Sequence, residues 1–325
     1  MTDATVTDAA GLSGATRVAL VLFDLDDTLF AHRAAVAAGI LAHVAAQGGR
    51  GAAADPHTVV TLWNALEEHH YHAYLAGELD FAGQRSARAR DFAAAHGVEL
   101  TEAEAAAWFE DYFLHYRAAW RLHADALPCL DELTRRIPGV RFGLITNGEL
   151  AYQSVKLADT GLDARVEHVV TSAEFGLAKP RPEIFRHACA LFGVDPAACV
   201  YVGDRLRTDA IGAAAAGLTG VWLDRVGSAG PDVPEADRAE ARARGVIRLT
   251  TLAALPAALG SLYPQPRRPG ACHAGHAPLR GWRATRETAP HPRSWKAARM
   301  RRRIGSPRGR GQVRGRLRRP SRGSW

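Results

Sequence analysis

RVALVLFDLDDT, residues 17–28, is the stretch that decides the fold: an apolar run, Arg17–Phe23, that ends abruptly on acids. A short apolar run without alternation is the pattern of a strand buried on both faces, as in a parallel sheet. Its acids then fall at the strand's carboxyl end, the edge where open α/β sheets bind ligands. Residues two apart on a strand end point the same way, so Asp24 and Asp26 share one side. Two carboxylates that close repel, and one is readily kept protonated or neutralised by a cation. Such a pair can divide its work, one attacking and the other shuttling a proton. A solvated acidic turn is the alternative reading of DxDxT taken alone.

Downstream of this strand the pattern changes. From about Phe30 to Trp120 the chain is Ala-rich and helical, with breaks near Gly48–Pro56, Gly77–Asp80 and Gly97–Thr101 that divide it into about four helices. Short apolar runs then alternate with helical segments. The runs are Val140–Ile145, Val166–Thr171, Cys199–Val202, Gly220–Leu223 and Val246–Leu249; the helices are Glu149–Thr160, Pro182–Phe192, Thr208–Ala216 and Pro234–Arg244. This alternation predicts right-handed βαβ units and an α/β, doubly wound, mostly parallel sheet. The helical block is then a cap inserted over the sheet's carboxyl edge. The expected organisation is a flexible N-terminus (1–16), a Rossmann-like core (17–29 and 121–263), a helical cap (30–120) and a disordered, Arg-rich tail (264–325).

Charge is divided as unevenly as pattern. The net +7 hides a stretch from Pro264 onward with 18 Lys+Arg against one acid, and a preceding body with 23 bases and 33 acids. Cys129, Cys189, Cys199 and Cys272 show no metal or redox spacing and read as buried or incidental thiols of a reducing compartment. The N-terminus has acids where a secretory signal would have bases, and Val18–Phe23 is too short to cross a bilayer. The expectation is a cytoplasmic protein that does not engage membranes.

Three further elements place polar groups just after an apolar run. Thr146-Asn147-Gly148 supplies a hydroxyl, an amide and a permissive glycine at a helix N-terminus, which suit phosphate oxygens; an N-cap without a ligand is the plainer alternative. Lys179, in GLAKPRP, is one of three lysines in a chain with 38 arginines, so a compact ammonium there is a departure from the chain's habit. Gly203-Asp204, with Asp209 five residues on, offers a carboxylate to complete a hard-cation site with Asp24. Asp209 alone would suit the positive end of a helix.

The four segments, in this order, resemble the haloacid dehalogenase (HAD) superfamily of hydrolases, in the group with a helical cap after the first strand. DLDDT resembles its first motif, ITNG its second, GLAKPRPEIF its third and GDRLRTD its fourth, over about residues 17–250. The resemblance implies Asp24 as nucleophile and Asp26 as general acid/base. Thr146 and the Asn147 amide would hold phosphate, and Lys179 would neutralise the nucleophile and the transferring group. Asp24, the Asp26 main-chain carbonyl and Asp204 would hold Mg²⁺, with Asp209, Thr28 and Gly148 in support. Dehalogenases of this family lack an acid at the position of Asp26, so its presence favours phosphate monoester hydrolysis. The wording of the second and third motifs is most similar to that of pyrimidine nucleotidases and acylneuraminate-phosphate phosphatases, which implies a nucleoside monophosphate or sugar phosphate as substrate.

Other conspicuous residues receive plainer readings. His69 and His72 share a helix face that is expected to be partly exposed. Arg85, Arg88 and Arg90 read as a solvated helical face, with Arg85 kept as a substrate contact. Trp63, Trp108, Phe109, Tyr112 and Tyr116 are spaced for helix packing within the cap. The tail segments Arg299–Arg303 and Arg308–Arg319, with Trp282, Trp295 and Trp325, could bind nucleic-acid backbones by counterion release. An Arg/Gly/Pro-rich extension read past a lost stop codon is the competing explanation.

Overall fold

The computed structural model describes residues 17–225 and 233–262; the N-terminal segment, the basic tail and Cys272 lie outside the described residues. Six parallel strands form one sheet in the order β3-β2-β1-β4-β5-β6: β1 Leu20–Phe23, β2 Arg141–Thr146, β3 His168–Thr171, β4 Cys199–Gly203, β5 Thr219–Leu223 and β6 Ile247–Leu249. All sit where apolar runs predict them. β1 is flanked by β2 and β4, with Phe23 level with Leu144 on one side and Val202 on the other. The chain winds outward from β1 in one direction and then resumes beyond it in the other, so the switch point lies at the ends of β1 and β4. Leu20–Phe23 is fully buried, as expected of a central strand covered on both faces.

Between β1 and β2 stand four long helices: α1 His32–Gln47, α2 Pro56–Leu75, α3 Phe81–Ala95 and α4 Glu102–Ala118, with one helical turn at Gly49–Ala53. Their starts are chemically marked. Asp55 accepts from the Thr58 N–H at 2.9 Å and Asp80 from the Gly83 N–H at 2.6 Å, while Thr101 and Glu104 cap each other reciprocally. Trp63, Phe92, Trp108, Phe109 and Tyr112 form the aromatic centre of this insert, with Trp63 fully buried and its ring 4.7 Å from that of Tyr112. The packing role read from their spacing is what they perform.

The sheet is covered on both faces. Helices α5 Ala126–Arg136, α6 Leu150–Thr160 and α9 Leu255–Leu262 share a core with Val21 and Phe23, and α7 Pro182–Phe192 shares one with Leu20 and Leu22. Helix α8 Glu235–Ala243 lies between β5 and β6 in the chain. The sequence reading passes over α5, although its buried Ala126, Cys129, Leu130 and Leu133 have helical spacing. It also expects an α-helix at Thr208–Ala216; instead Leu206–Ile211 is a π-helical turn that runs into Gly212–Ala215. Such turns often occur at functional sites, and this one carries Asp209.

Two glycines let the turn press against the sheet. A Cβ at Gly203 would lie 2.4 Å from the Asp209 side chain, and one at Gly220 would lie 2.2 Å from the Ala210 carbonyl oxygen. Backbone cannot give way as a flexible side chain can. Gly220→Ala is therefore expected to cost about 3 kcal/mol, the upper end of overpacking penalties, lowering Tm by roughly 6–12 °C. Gly260→Ala, where nothing lies within 4 Å of the added atom, should leave Tm unchanged or slightly raised. Thermal unfolding followed by circular dichroism compares the two.

No described helix is long and apolar enough to cross a membrane.

Candidate active site

Asp24, Asp26, Thr146, Asn147, Lys179, Asp204 and Asp209 all line one cavity of about 610 Å³ between the carboxyl edge of the sheet and the helical insert. This size suits a small metabolite. Asp24, one residue past β1, donates its N–H to the Val202 carbonyl, so the hydrogen-bond ladder of the sheet itself fixes its position.

Lys179 is the electrostatic centre. Its Nζ donates to Asp24 Oδ1 at 2.6 Å, to Asp209 Oδ1 at 2.8 Å and to the Tyr201 hydroxyl at 2.8 Å, all in a buried setting. Burial works against its charge, but Asp209 and Asp24 together hold its pKa well above the ordinary lysine value. Asp24 shows the opposite balance. Burial and the neighbouring Asp209 raise its pKa to about 7 against the pull of Lys179. Asp209 has both oxygens engaged, since Oδ2 accepts from the Arg205 N–H at 2.9 Å.

Asn147 does something other than meet phosphate with its side-chain amide. Its Oδ1 accepts from the Lys179 N–H at 2.9 Å and its Nδ2 donates to the Lys179 carbonyl at 3.1 Å. That amide clamps the lysine's main chain, and the donor Asn147 can offer a phosphate is its own main-chain N–H. Thr146, at the end of β2, is buried, and its hydroxyl accepts from Gln153 Nε2 at 3.1 Å. At Gly148 an added Cβ would come within 2.7 Å of the same Gln153 amide nitrogen. Thr28 is fully buried behind the acidic turn, and its carbonyl accepts from Arg225 at 2.8 Å.

Asp26 has a cation of its own, which sequence reasoning missed. Lys156 of α6, 1 % exposed, donates to Asp26 Oδ1 at 2.6 Å, and Gln153 Nε2 reaches Oδ2 at 3.2 Å. His32 stands 3.8 Å from the same carboxylate and 3.3 Å from Glu67. Burial would raise the Asp26 pKa, but Lys156 and His32 overcome it and hold it below the usual carboxylate value. The two acids of the turn are thus tuned apart: the protein's own charges keep Asp26 ionised, whereas Asp24 needs added positive charge to ionise fully. Lys156 carried a signal: the scarcity of lysine that singles out Lys179 applies to it with equal force.

The donor set fits a hard divalent cation. Asp24, Asp204 and Asp209 each offer a carboxylate oxygen, and the three atoms lie within 4.8 Å of one another. Burial and the carboxylates of Asp24, Asp209 and Asp27 push the Asp204 pKa well above its ordinary value. Acids crowded together in this way need positive charge to ionise. With Asp209 committed to Lys179 and Arg205, Asp24 and Asp204 are the carboxylates left for the ion.

The remaining candidates divide cleanly. His72 is exposed and pairs with Glu68 at 3.2 Å, and His69 is exposed. Arg90 reaches Glu102 at the surface. The solvated reading fails for Arg88, which is 4 % exposed, stacks 3.8 Å above Trp63 and pairs with Glu67 at 3.0 Å. Its acid partner comes from α2, a neighbour that the pattern of α3 alone cannot reveal.

Comparison with known proteins points one way. The family model described as haloacid dehalogenase-like hydrolase matches residues 18–217. A phosphoserine phosphatase of Thermus thermophilus is 39% identical over 124 residues, 38% of this chain and 48% of the relative. An N-acylneuraminate-9-phosphatase of Rattus norvegicus is 38% identical over 107 residues, 33% of this chain and 42% of the relative. The chain thus spans less than half the length of these curated relatives. Among solved structures, a HAD hydrolase of Bacillus subtilis bound to magnesium aligns with a TM-score of 0.59 and 21% identity, covering 75% of this chain and 99% of that one. At that identity the likeness concerns the fold.

Proposed function

The chain belongs to the haloacid dehalogenase-like hydrolase family, and from that premise we propose that it is a Mg²⁺-dependent phosphomonoesterase acting on a small phosphorylated metabolite, a nucleoside monophosphate or a sugar phosphate. The observation that carries this reading is the division of labour between Asp24 and Asp26. Asp24 is buried against Lys179, whereas Asp26 is held by Lys156 on the cavity wall, two residues away on the same side. A dehalogenase has no use for the second acid. The relatives named above are phosphatases, which supports the same choice.

The roles follow from the contacts. Asp26, which Lys156 holds as a carboxylate in the free enzyme, takes the proton of the monoester monoanion as it binds. An Asp24 oxygen then forms a bond to phosphorus as the bond from phosphorus to the ester oxygen breaks, and Asp26 gives that oxygen the proton. Asp26, now an anion, takes a proton from water as the water attacks the aspartyl-phosphate, releasing inorganic phosphate and restoring Asp24. Lys179, Thr146 and the Asn147 main-chain N–H meet the equatorial phosphoryl oxygens, where charge must be stabilised. Asp24, Asp204 and the Asp26 main-chain carbonyl would hold Mg²⁺, which would supply charge neutralisation for nucleophile and phosphate.

The test is a panel of small phosphate monoesters assayed for phosphate release with and without Mg²⁺, with Asp26→Asn alongside the wild type. Alkyl esters should lose about 10²–10⁴-fold in kcat in the variant, the usual contribution of a general acid. p-Nitrophenyl phosphate, whose leaving group needs no proton, should lose much less in the first step. Equal losses on both would show that Asp26 is not the acid. Chloride release from 2-haloacids without phosphate release from any ester would reverse the assignment of reaction type.

A further inference from the structure

Six lysine and arginine side chains line the cavity, and five have an acid. Lys179 lies 2.6 Å from Asp24, Lys156 2.6 Å from Asp26, Arg88 3.0 Å from Glu67, Arg205 3.1 Å from Glu68 and Arg33 3.3 Å from Asp27. Arg85 of α3 is the exception. Among the described residues no carboxylate stands within salt-bridge distance of it, and no acceptor takes any of its five N–H donors. Its surroundings are aromatic instead: the guanidinium carbon lies 4.2 Å from the Phe81 ring centroid, 5.0 Å from Tyr152, 5.2 Å from Phe109 and 5.5 Å from Phe113. The rings hold a cation by their faces and exclude water, but they do not neutralise it. A half-buried positive charge facing a cavity without a counter-ion is a site arranged for an anion from outside.

Its position says which anion. Tyr152 is a neighbour of both Arg85 and Lys156: its ring centroid lies 5.0 Å from the guanidinium carbon of the one and 5.0 Å from Nζ of the other, which is 2.6 Å from Asp26. Asp26 is the acid proposed for the ester oxygen, so Arg85, one aromatic ring removed from the cation that holds Asp26, is placed to meet the leaving alcohol. Glu67, Glu68 and Asp26 also line the cavity, and they oppose a second doubly charged phosphate there. A single planar carboxylate matches one guanidinium in charge and in its two-pronged geometry.

We infer that Arg85 is a specificity-determining residue that binds a carboxylate on the alcohol half of the substrate, so that the preferred substrates are phosphate esters of small hydroxy acids. This rests on the phosphomonoesterase reading, and in place of a nucleoside monophosphate or neutral sugar phosphate it sets a phosphorylated hydroxy acid.

The experiment compares matched esters that differ in the carboxylate: 3-phosphoglycerate against glycerol 3-phosphate, and phosphoserine against phosphoethanolamine, each with Mg²⁺. The readout is the ratio of kcat/KM within a pair, which does not depend on how much of a variant is folded. Wild type should favour the acid of at least one pair tenfold or more. Arg85→Met should reduce that ratio at least tenfold, chiefly through KM, and Arg85→Lys should fall between, keeping the charge without the fork. Glycerate should compete with p-nitrophenyl phosphate in the wild type and at least tenfold less well in Arg85→Met. Hydrolysis of esters with no preference for the acid in either pair, or a ratio unchanged in Arg85→Met, overturns the inference while leaving the phosphatase reading intact. No hydrolysis of any ester removes both.

Discussion

Asp24→Asn is expected to lower phosphate release from every substrate by about 10⁴-fold or more, the scale on which loss of a covalent nucleophile acts, while the protein stays folded. An amide nitrogen or oxygen of Asn cannot replace the carboxylate as nucleophile, yet it fills nearly the same space at the end of β1. The fold should tolerate the change because burial already works against the Asp24 charge, holding its pKa at about 7. Lys179 also keeps Asp209 and Tyr201 as partners after the exchange. The measurement is single-turnover phosphate release together with a melting curve. Acid-quenched wild type incubated with substrate should carry phosphate on the peptide containing Asp24, and Asp24→Asn should carry none. Full activity in the variant would remove the nucleophile assignment altogether.

Lys179→Met is expected to damage both chemistry and fold. The ammonium lies between two buried carboxylates, 2.6 Å from Asp24 and 2.8 Å from Asp209. Removing it leaves uncompensated buried charge, which typically costs 3–5 kcal/mol. The acids can relieve part of that by taking up protons, so the loss of stability should be smaller at pH 5 than at pH 8. The sign follows from burial, which makes protonation the easier response once the cation is gone. Activity should fall by about 10²–10³-fold, as when a preorganised group facing developing charge is lost. Lys179→Arg should not restore it, because a planar fork cannot make three divergent bonds from one nitrogen. Urea melts at the two pH values separate the stability loss from the catalytic one.

Much of this arrangement was legible before any coordinates. The strand at Arg17–Phe23 and its acids led to the parallel sheet, and each strand-end motif arrives at the common cavity. Strand ends are legible because a period of two and a hydrophobic run leave little freedom for where a carboxylate emerges. What was hidden depends on meetings between elements. Arg88 looks solvated until Glu67 and Trp63 arrive from α2. The amide of Asn147 looks like a phosphate ligand until the loop of Lys179 closes on it. The π-helical turn that lets Asp209 reach Lys179 leaves no mark in composition, since its residues suit an α-helix equally well. Lys156 lay within reach of the argument from scarcity that singled out Lys179.

The walls of the cavity come from separate stretches of chain. Asp24, Thr146, Lys179 and Asp204 stand at strand ends or on the loops that leave them, whereas Glu67, Arg85, Phe109 and Phe113 stand on the inserted helices. Mutational drift on the two sides therefore has different consequences. On the proposed roles, a change at the sheet edge would fall on the reaction and be felt with every substrate, whereas a change at Arg85, Phe109 or Phe113 would fall on which molecule is admitted. Substitutions in α2, α3 and α4 are, on those roles, the ones that would exchange one metabolite for another.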